Sequence, residues 1–394
     1  MVIAGEPSGD LLAAELVGAL RERVLRDSSA QTNDVQPLRT ELAPYFFGAG
    51  GPRMKAARVE LAFDLTQHSV IGLSEALKNL FKFRRLFWQL FRLALERLPD
   101  VIIGVDYGGF NVRFGKAIKN YVRRHRKEFV PWNPRIVQFV SPQVWASRPG
   151  RAWTLAENYD LLLSIFPFEK DWYAGRVPKL RVEFVGHPMI ERSPESRVQN
   201  PKSGSGMSVV LLPGSRVDEV RRHLPVVTGA FELMRKEFPA MRGQMVLPMD
   251  TLADAATSFG LPVGLEIQVG GLNDALSRAD LAITKSGTIT MECAMFGVPA
   301  VVFYKTSWPT YLIGKQIISV PYLAMPNLLA GEEIFPEFVQ DDATPENIAR
   351  AALELLRDNA RRQMVKAKLE KVVASLGGSG ATGRAADAII RLLK

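Results

Sequence analysis

The sequence predicts an α/β protein made of two Rossmann-like, doubly wound domains. Its 394 residues exceed the size of one ordinary hydrophobic core, which favours two domains. Short apolar runs alternate with helical segments along the chain, as expected for parallel sheets covered by helices. A stretch rich in Ser, Pro, Gly and charge, residues 191–208, separates a first domain at 1–190 from a second at 209–345. The remaining helices, residues 346–394, are expected to pack back toward the first domain.

Composition limits the classes of function. Apolar residues make up 47% of the chain and charged residues 23%, which is typical of a globular protein. Cys293 is the single cysteine, so an intrachain disulfide is impossible and a reducing compartment is favoured. No signal peptide is apparent, and no uncharged apolar run reaches the roughly 18 residues of a membrane span. The sequence has no Cys/His cluster with metal-ligand spacing, so no metal and no other cofactor is expected.

The net charge of +9 favours an anionic partner. Much of this charge lies in residues 78–97, where six cations and one acid are interleaved with aromatic residues. We predict one or two helices over residues 69–98 that lie on an anionic lipid surface. An ordinary packed helix with solvated cations is the alternative. Nucleic acid is not an expected partner, because these cations belong to no recognised nucleic-acid-binding module.

A short strand from Met1 to Ala4 opens the first domain, and the turn Gly5-Glu6-Pro7-Ser8-Gly9-Asp10 follows it. A helix is predicted from Leu11, capped by a residue of this turn. Turns that follow the strands of a parallel sheet face its ligands, so this turn is a candidate binding segment. A second strand is predicted at residues 41–47, followed by a glycine-rich turn at 48–54 that suits close backbone approach.

The apolar run Val101 to Val105 predicts a buried strand that ends at Asp106. Loops after such strands carry functional residues, and a carboxylate there is a candidate general base. A helix cap is the alternative role for this aspartate. Asn111 begins the next predicted helix, and strands at residues 135–140, 159–165 and 182–185 continue the alternation.

The second domain is predicted to begin with a strand from Val209 to Leu212, followed by the turn Pro213-Gly214-Ser215-Arg216. The arginine stands between this turn and a helix that starts near Val217, a position that suits bidentate contact with a phosphate. Further strands are predicted at residues 244–247, 266–269 and 281–284.

The segment from Leu281 to Tyr304 predicts a strand, a turn, a helix and a second strand. Its turn is Ser286-Gly287-Thr288, where unpaired N–H groups and two hydroxyls suit an anion. Glu292, about one turn into the helix, is placed to accept hydrogen bonds from vicinal sugar hydroxyls. A well-capped helix that binds no ligand is the alternative.

Two Rossmann-like halves with phosphate-binding turns in the second suggest an enzyme that closes around a nucleotide-linked substrate. An ordered set of motifs between residue 4 and about residue 335 also resembles lipid-A-disaccharide synthase. These motifs are Ala4-Gly-Glu-Pro-Ser-Gly-Asp10, Gly48-Ala-Gly-Gly-Pro-Arg-Met54, Val105-Asp106 with Phe110-Asn111, Val140-Ser-Pro-Gln-Val-Trp-Ala146, Phe166-Pro-Phe-Glu169, Phe184-Val-Gly-His187, Leu211-Leu-Pro-Gly-Ser-Arg216, Ser286-Gly-Thr288 with Glu292, and Met325-Pro-Asn-Leu-Leu-Ala-Gly331.

The resemblance implies a GT-B fold, in which two Rossmann-like domains face a central cleft. It implies an inverting glycosyltransferase that needs no bound metal. The expected substrates are UDP-2,3-diacylglucosamine and 2,3-diacylglucosamine 1-phosphate (lipid X), and the products are UDP and the β-1,6-linked lipid A disaccharide 1-phosphate. The enzyme is expected in the cytoplasm, peripherally bound to the inner face of the cytoplasmic membrane. A homodimer is an open alternative to a monomer.

The resemblance also assigns roles to residues of this chain. The expected catalytic residues are Asp106, Glu6 and Arg216. Asp106 would be the base that removes the proton of the acceptor 6-hydroxyl, and Glu6 would line the acceptor side of the site. Arg216 would neutralise the charge that develops on the departing UDP. Gly109 departs from the family pattern, which often has a second acidic residue at this position. The other expected substrate-binding residues are Ser8, Gly9, Asp10, Asn111, Ser215, Ser286, Gly287, Thr288, Glu292 and Asn327.

Two other functions are compatible with this architecture. A UDP-N-acetylglucosamine 2-epimerase shares the two-domain fold, but its water-soluble substrate gives no reason for a cationic aromatic helix. A non-catalytic nucleotide- or lipid-binding protein is the second alternative, and it would tolerate the loss of Asp106, whereas a transferase would not.

Overall fold

The computed structural model describes residues 1–30, 44–68, 80–125, 132–192 and 206–394. The chain forms two compact units, one of Met1–Arg192 with Leu376–Lys394 and the other of Ser193–Ser375. Parts of three predicted segments lie outside the described residues: 41–43 of the second strand, 69–79 of the basic aromatic segment and 193–205 of the linker.

The first unit is built on a parallel sheet of seven strands. They are β1 (Val2–Ala4), β2 (Phe47–Gly50), β3 (Glu60–Asp64), β4 (Val101–Val105), β5 (Arg135–Phe139), β6 (Leu161–Ser164) and β7 (Val182–Phe184). Their order is β3-β2-β1-β4-β5-β6-β7, so the direction of strand addition reverses between β1 and β4. Ala4 pairs with Val105, which places the residues that follow these two strands side by side.

Helices connect these strands. They are α1 (Pro7–Ala30), α2 (Pro52–Ala56), α3 (Leu80–Arg97), α4 (Gly108–Arg124), α5 (Val144–Ser147), α6 (Arg151–Asn158), α7 (Pro167–Ala174) and α8 (Met189–Arg192). Helix α1 begins at Pro7, earlier than predicted, because proline suits the first helical position and the Asp10 N–H bonds the Glu6 carbonyl at 2.8 Å. Ser8 and Gly9 therefore lie in the first turn of the helix instead of capping it.

Three of the four residues of strand β2, residues 48–50, had been predicted to belong to a glycine-rich turn. Gly48 explains the difference, because a Cβ added there would lie 1.9 Å from the Val2 carbonyl oxygen. Only glycine lets β2 approach β1 this closely. The three residues of β1 are all buried, and this short strand lies inside the sheet between β2 and β4.

Helix α3 turns most of its described apolar side chains inward. Leu90 and Phe91 are buried, and Phe87 packs edge-to-face against Phe114 of α4 with ring centroids 5.5 Å apart. Trp88 and the cations remain exposed. This arrangement corresponds to the packed-helix alternative for the described part of the segment. Within the described ranges, no helix is both long and apolar enough to cross a membrane.

The second unit contains a parallel sheet of six strands. They are β8 (Ser208–Leu212), β9 (Arg242–Leu247), β10 (Leu265–Val269), β11 (Leu281–Lys285), β12 (Ala300–Tyr304) and β13 (Glu337–Val339). Their order is β10-β9-β8-β11-β12-β13, with the reversal between β8 and β11. Leu212 pairs with Thr284, so Pro213, which follows β8, comes next to Lys285, the last residue of β11. The sequence had not predicted β3 or β13, which are both edge strands.

The helices of this unit are α9 (Val217–Glu237), α10 (Asp250–Phe259), α11 (Leu272–Arg278), α12 (Ile289–Met295), α13 (Trp308–Ile317), α14 (Met325–Ala330), α15 (Pro345–Arg357) and α16 (Asn359–Ser375). The last helix, α17 (Ala381–Leu393), belongs to the first unit, where Asp387 forms an ion pair with Arg23 of α1. Arg384 of α17 also donates a hydrogen bond of 2.8 Å to the Val185 carbonyl. The C-terminal helices are thus divided between the two units.

Candidate active site

The first unit brings a group of predicted site residues together where its strand order reverses. In parallel α/β sheets this is the position at which ligands bind. Glu6 follows β1 and Asp106 follows β4, and a Cβ added at Gly9 would lie 3.4 Å from the Asp106 Cβ. Ser8 is exposed beside them. The structure therefore places Glu6, Ser8, Gly9 and Asp106 beyond the carboxyl ends of β1 and β4, the position that the turn motifs predicted.

Asp106 has an unusual backbone conformation. Its φ is 50° and that of Tyr107 is 45°, so two consecutive non-glycine residues lie in the left-handed region. The turn is held by two buried side-chain amides: Asn111 Nδ2 and Gln138 Nε2 each donate a hydrogen bond of 2.8 Å to the Asp106 carbonyl. These contacts hold the backbone that carries the Asp106 carboxylate in a fixed position.

Asn111 was predicted to contact substrate, and the structure gives it this positioning role instead. Its side chain is buried next to Gln138, in a space that is available because residue 104 is glycine. A Cβ added at Gly104 would lie 2.6 Å from Gln138 Oε1 and 2.8 Å from Asn111 Cγ. The positioning role of Gln138 was not predicted. Its only signal in the sequence is a polar residue inside an apolar strand.

The surroundings of Asp106 favour its protonated form more than water does. The residue is half-buried, and this burial raises the pKa of its carboxyl, against a smaller opposing effect of the Tyr107 N–H. Burial and the negative charge of Glu6 also raise the pKa of Tyr107. The Tyr107 ring covers Gly5, where an added Cβ would lie 2.3 Å from a ring carbon. Gly5 is therefore required for this tyrosine to lie over the turn.

Asp10 was predicted to line the acceptor side, but the structure buries it. Only 1% of the residue is exposed, and its carboxylate accepts hydrogen bonds from the N–H groups of Gly51, Arg53 and Met54 at 2.7, 2.8 and 3.1 Å. These are the orphan donors at the start of α2. Asp10 thus ties α1 to the segment after β2, a structural contact that leaves no open face toward a ligand.

Two motifs that had no predicted role contact each other at the same edge of the sheet. Trp145 Nε1 donates a hydrogen bond of 2.9 Å to Glu169 Oε1, and the Phe166 N–H donates one of 3.3 Å to Oε2. Glu169 is fully buried, which raises its pKa to about 7. The Trp145–Glu169 hydrogen bond links α5, which follows β5, to α7, which follows β6.

In the second unit, a second group of predicted site residues follows the strands at the reversal between β8 and β11. Ser215 and Arg216 are exposed after β8, and the Ser286-Gly287-Thr288 turn follows β11. Gly287 has a φ of 134°, and among the described residues, its two chain neighbours aside, no heavy atom lies within 4 Å of the position of an added Cβ. The turn is therefore open to a ligand, and its conformation favours glycine. Glu292 is half-buried in α12, where burial raises its pKa.

Lys285 is a functional candidate that the sequence analysis did not single out. Its Nζ lies 3.1 and 3.0 Å from the two carboxylate oxygens of Glu219. Although burial alone would raise it, the charge of Lys285 holds the pKa of Glu219 below its usual value. A lysine directly between the apolar run of β11 and the Ser286 turn was the signal that could have identified it.

Glu219 also orders the turn after β8. It accepts a hydrogen bond of 3.3 Å from the Ser215 N–H and lies 3.5 Å from Arg216 Nη1. Gly214 makes room for this carboxylate, because an added Cβ would lie 2.8 Å from Glu219 Oε2. Two cations, Lys285 and Arg216, thus lie together at the carboxyl ends of β8 and β11. This arrangement suits a diphosphate.

Asn327 was predicted to contact the donor, but its side chain is fully buried and its hydrogen bonds are already made. Nδ2 donates to the Phe335 carbonyl and to Glu337 Oε1, each at 2.8 Å. Oδ1 accepts from the N–H groups of Ile334 and Phe335, each at 2.9 Å. The amide therefore connects α14 to β13 and has no group left for a ligand.

Comparison with protein families matches residues 1–388 to the family described as lipid-A-disaccharide synthetase. The chain is 35% identical over 405 residues to the lipid-A-disaccharide synthase of Geobacter metallireducens, an alignment that covers 100% of this chain and 97% of that protein. The resemblance seen in the motifs is thereby confirmed.

Solved structures share the architecture at low identity. CalG4, the calicheamicin glycosyltransferase, aligns with a TM-score of 0.58 and 16% identity, over 100% of this chain and 96% of that one. A putative UDP-N-acetylglucosamine 2-epimerase from Listeria monocytogenes aligns with a TM-score of 0.58 and 14% identity, over 100% and 95% of the two chains. These likenesses concern the fold alone, and the predicted α/β fold of the GT-B type is confirmed. Since the family match spans almost every residue and the identity to a curated relative exceeds 30%, the chain belongs to the lipid-A-disaccharide synthase family.

Proposed function

We propose that this protein joins UDP-2,3-diacylglucosamine to 2,3-diacylglucosamine 1-phosphate and releases UDP and the lipid A disaccharide 1-phosphate. The observation that carries the proposal is the family match over residues 1–388, because lipid A disaccharide synthesis is the activity for which the family is named. Each unit supports the proposal with residues that suit one half of a glycosyl transfer: a base in the first and cations in the second.

In the first unit, Asp106 acts as the base. Its carboxylate takes the proton from the acceptor 6-hydroxyl while that oxygen forms a bond to the anomeric carbon of the donor. Because burial raises its pKa, this carboxylate is a stronger base than an aspartate in water. Glu6, Ser8 and Gly9 lie next to it and contact the acceptor sugar in this proposal.

In the second unit, Arg216 and Lys285 bind the diphosphate of the donor. The bond between the anomeric carbon and the diphosphate oxygen breaks, and its electron pair remains on UDP. Fixed cations and the donors of Ser215 and the 286–288 turn stabilise this charge as it develops. Glu292 accepts hydrogen bonds from the ribose hydroxyls.

The substrates of this reaction are lipids, so we also propose that the enzyme works in peripheral contact with the inner face of the cytoplasmic membrane. The net charge of +9 supports contact with anionic lipid. Arg84 and Arg85 of α3 are exposed and are available for it.

The reaction is tested by following UDP release from purified protein. We expect release only when UDP-2,3-diacylglucosamine and lipid X are both present, with the disaccharide identified by mass spectrometry. UDP release from the donor alone would contradict the proposal. Formation of the C2 epimer would instead favour the epimerase alternative, which shares the fold but is not favoured by the family match.

A further inference from the structure

Helix α13 has an exposed apolar surface without parallel among the described residues. Trp308, Leu312, Ile313 and the following Ile318 are 52%, 56%, 56% and 42% exposed, so four large apolar side chains contact solvent within eleven residues. No residue of this helix is buried by the described part of the chain. Single exposed apolar residues are common, but several large ones on one short helix indicate an interaction surface.

The distribution of these side chains favours an interface between water and an apolar phase. Trp308 and Leu312 are four residues apart and share one face of the helix, whereas Ile313 points to another side. The Trp308 ring packs edge-to-face on Tyr311 with centroids 5.7 Å apart. Helices that are apolar on several sides are normally buried in a protein core or in lipid. Trp and Tyr are enriched at the level of lipid headgroups.

The charged residues around α13 indicate the sign of the charge on its partner. Residues 300–331 contain two cations, Lys305 and Lys315, and no Asp or Glu. Lys315 lies three residues after Leu312 and is exposed on the same side of the helix as Trp308 and Leu312. A long lysine side chain beside an apolar face keeps its charge at the headgroup level. The surface therefore complements an anionic lipid layer.

Both ends of α13 are anchored to the donor half-site. Before the helix, Nε2 of the buried His223 lies 2.8 Å from the Lys305 carbonyl oxygen. After the helix, Ser286 Oγ donates a hydrogen bond of 3.0 Å to the Leu323 carbonyl. The segments on both sides of the exposed helix are thus hydrogen-bonded to α9 and to the Ser286 turn.

We propose that α13 lies in the interface of an anionic lipid bilayer, with Trp308, Leu312, Ile313 and Ile318 among the acyl chains and Lys315 at the headgroups. The choice of lipid as partner rests on the proposed function, in which the donor carries two acyl chains. Membrane contact through α13 holds the donor half-site at the bilayer surface, where such a donor resides. This surface is distinct from the basic helix α3, whose described apolar residues mostly face the core.

The test uses one fluorescent label on the full-length chain. The single native cysteine, Cys293, is buried, so the variant Leu312→Cys is labelled selectively with an environment-sensitive dye. The control is Val263→Cys, a position that is 80% exposed outside α13. We expect vesicles of phosphatidylcholine and phosphatidylglycerol in equal parts to shift the emission of the label at position 312 to the blue. The control should not respond, and vesicles of phosphatidylcholine alone should produce a much weaker effect.

A second pair of variants measures affinity without a label. Leu312→Glu should lower the affinity for the anionic vesicles at least ~10-fold, since it places a charge in the apolar contact. Phe259→Glu, which changes an exposed aromatic residue of α10, should leave it unchanged. Both replaced side chains are exposed, so unchanged melting temperatures are expected and are checked by circular dichroism.

Three outcomes would overturn the inference: no shift of the label at position 312, an equal shift with neutral vesicles, or a shift that depends on protein concentration without vesicles. The last result would assign the patch to a second copy of the chain. Failure of the proposed reaction is distinguishable from these outcomes. It would abolish UDP release from detergent-dispersed substrates while the response of the label to vesicles persists.

Discussion

Lys285 and Glu219 form an ion pair across the strand reversal of the second sheet, with Nζ 3.0 Å from Oε2. The two residues are 66 positions apart and join the end of β11 to the first turn of α9. Glu219 keeps the lysine extended beside Ser215 and Arg216, so the cation is already in place for a phosphate.

Lys285→Met removes the charge and keeps a side chain of similar length. We expect the Kd for UDP, measured by calorimetry, to rise ~10- to 100-fold, because a hydrogen bond to a charged group contributes ~1.5–3 kcal/mol. The Kd for uridine should not change. Lys236→Met on the exposed side of α9 is the control. Equal weakening for uridine and UDP would mean that the variant disturbs the fold instead.

Asp106→Asn should lower kcat by ~100-fold or more, the range of general-base catalysis, with UDP affinity unchanged. In the unaltered protein, the base acts in its ionised form, and burial raises its pKa above the usual value of 3.8. Activity is therefore lost as the pH falls through this raised pKa. We expect the acid limb of the kcat/KM profile to lie above 3.8 and to be absent in Asp106→Asn. Near-normal turnover of the variant would place the base elsewhere, and Asp171→Asn is the surface control.

Gln138→Leu tests the support of the Asp106 turn. The amide donates to the Asp106 carbonyl at 2.8 Å, and its loss frees a strained left-handed turn. We expect kcat to fall ~10-fold with little change in KM, and the acid limb of the pH profile to move. Gln89→Leu on α3 is the control. A drop in melting temperature without these kinetic changes would show that Gln138 contributes to stability alone.

Arg216→Ala should lower kcat by ~100-fold or more if the guanidinium stabilises the departing UDP. The side chain is 63% exposed, and its contact with Glu219 spans 3.5 Å, so this ion pair adds little to stability. The melting temperature should therefore remain unchanged. Arg221→Ala, an exposed arginine five residues further along the chain in α9, is the matched control. Unaltered steady-state kinetics of Arg216→Ala would remove this residue from the reaction.

Asn327→Ala separates a structural role from a binding role. The substitution leaves the N–H groups of Ile334 and Phe335 without their buried acceptor. We expect a loss of ~2–4 kcal/mol of unfolding free energy, with a melting temperature lower by ~2–4 °C per kcal/mol. The Kd for UDP should be unchanged where the variant is folded. An unchanged melting temperature together with weaker UDP binding would restore the ligand contact predicted from the motif.

Much of the fold could be predicted from the sequence because its signals are local. Buried parallel strands appear as short apolar runs, and strands such as β4, β8 and β11 lie within a residue or two of their predicted bounds. The turns after β1, β4, β8 and β11 were predicted at the carboxyl ends of these strands for the same reason. Edge strands β3 and β13 carry more polar residues, and they were missed.

Within the site, the sequence by itself determined which residues follow the strands: Glu6, Asp106, Arg216 and the Ser286 turn. Tertiary structure decided which polar groups remain accessible to a ligand and which are used in internal hydrogen bonds. The carboxylate of Asp10 and the amide of Asn327 are buried by segments distant in sequence. Tertiary structure also decided that Lys285 pairs with Glu219. It likewise left α13 exposed, whereas α3 is packed against its neighbours. Helical periodicity is the same for a covered and an uncovered helix, so only the packing of distant segments distinguishes them.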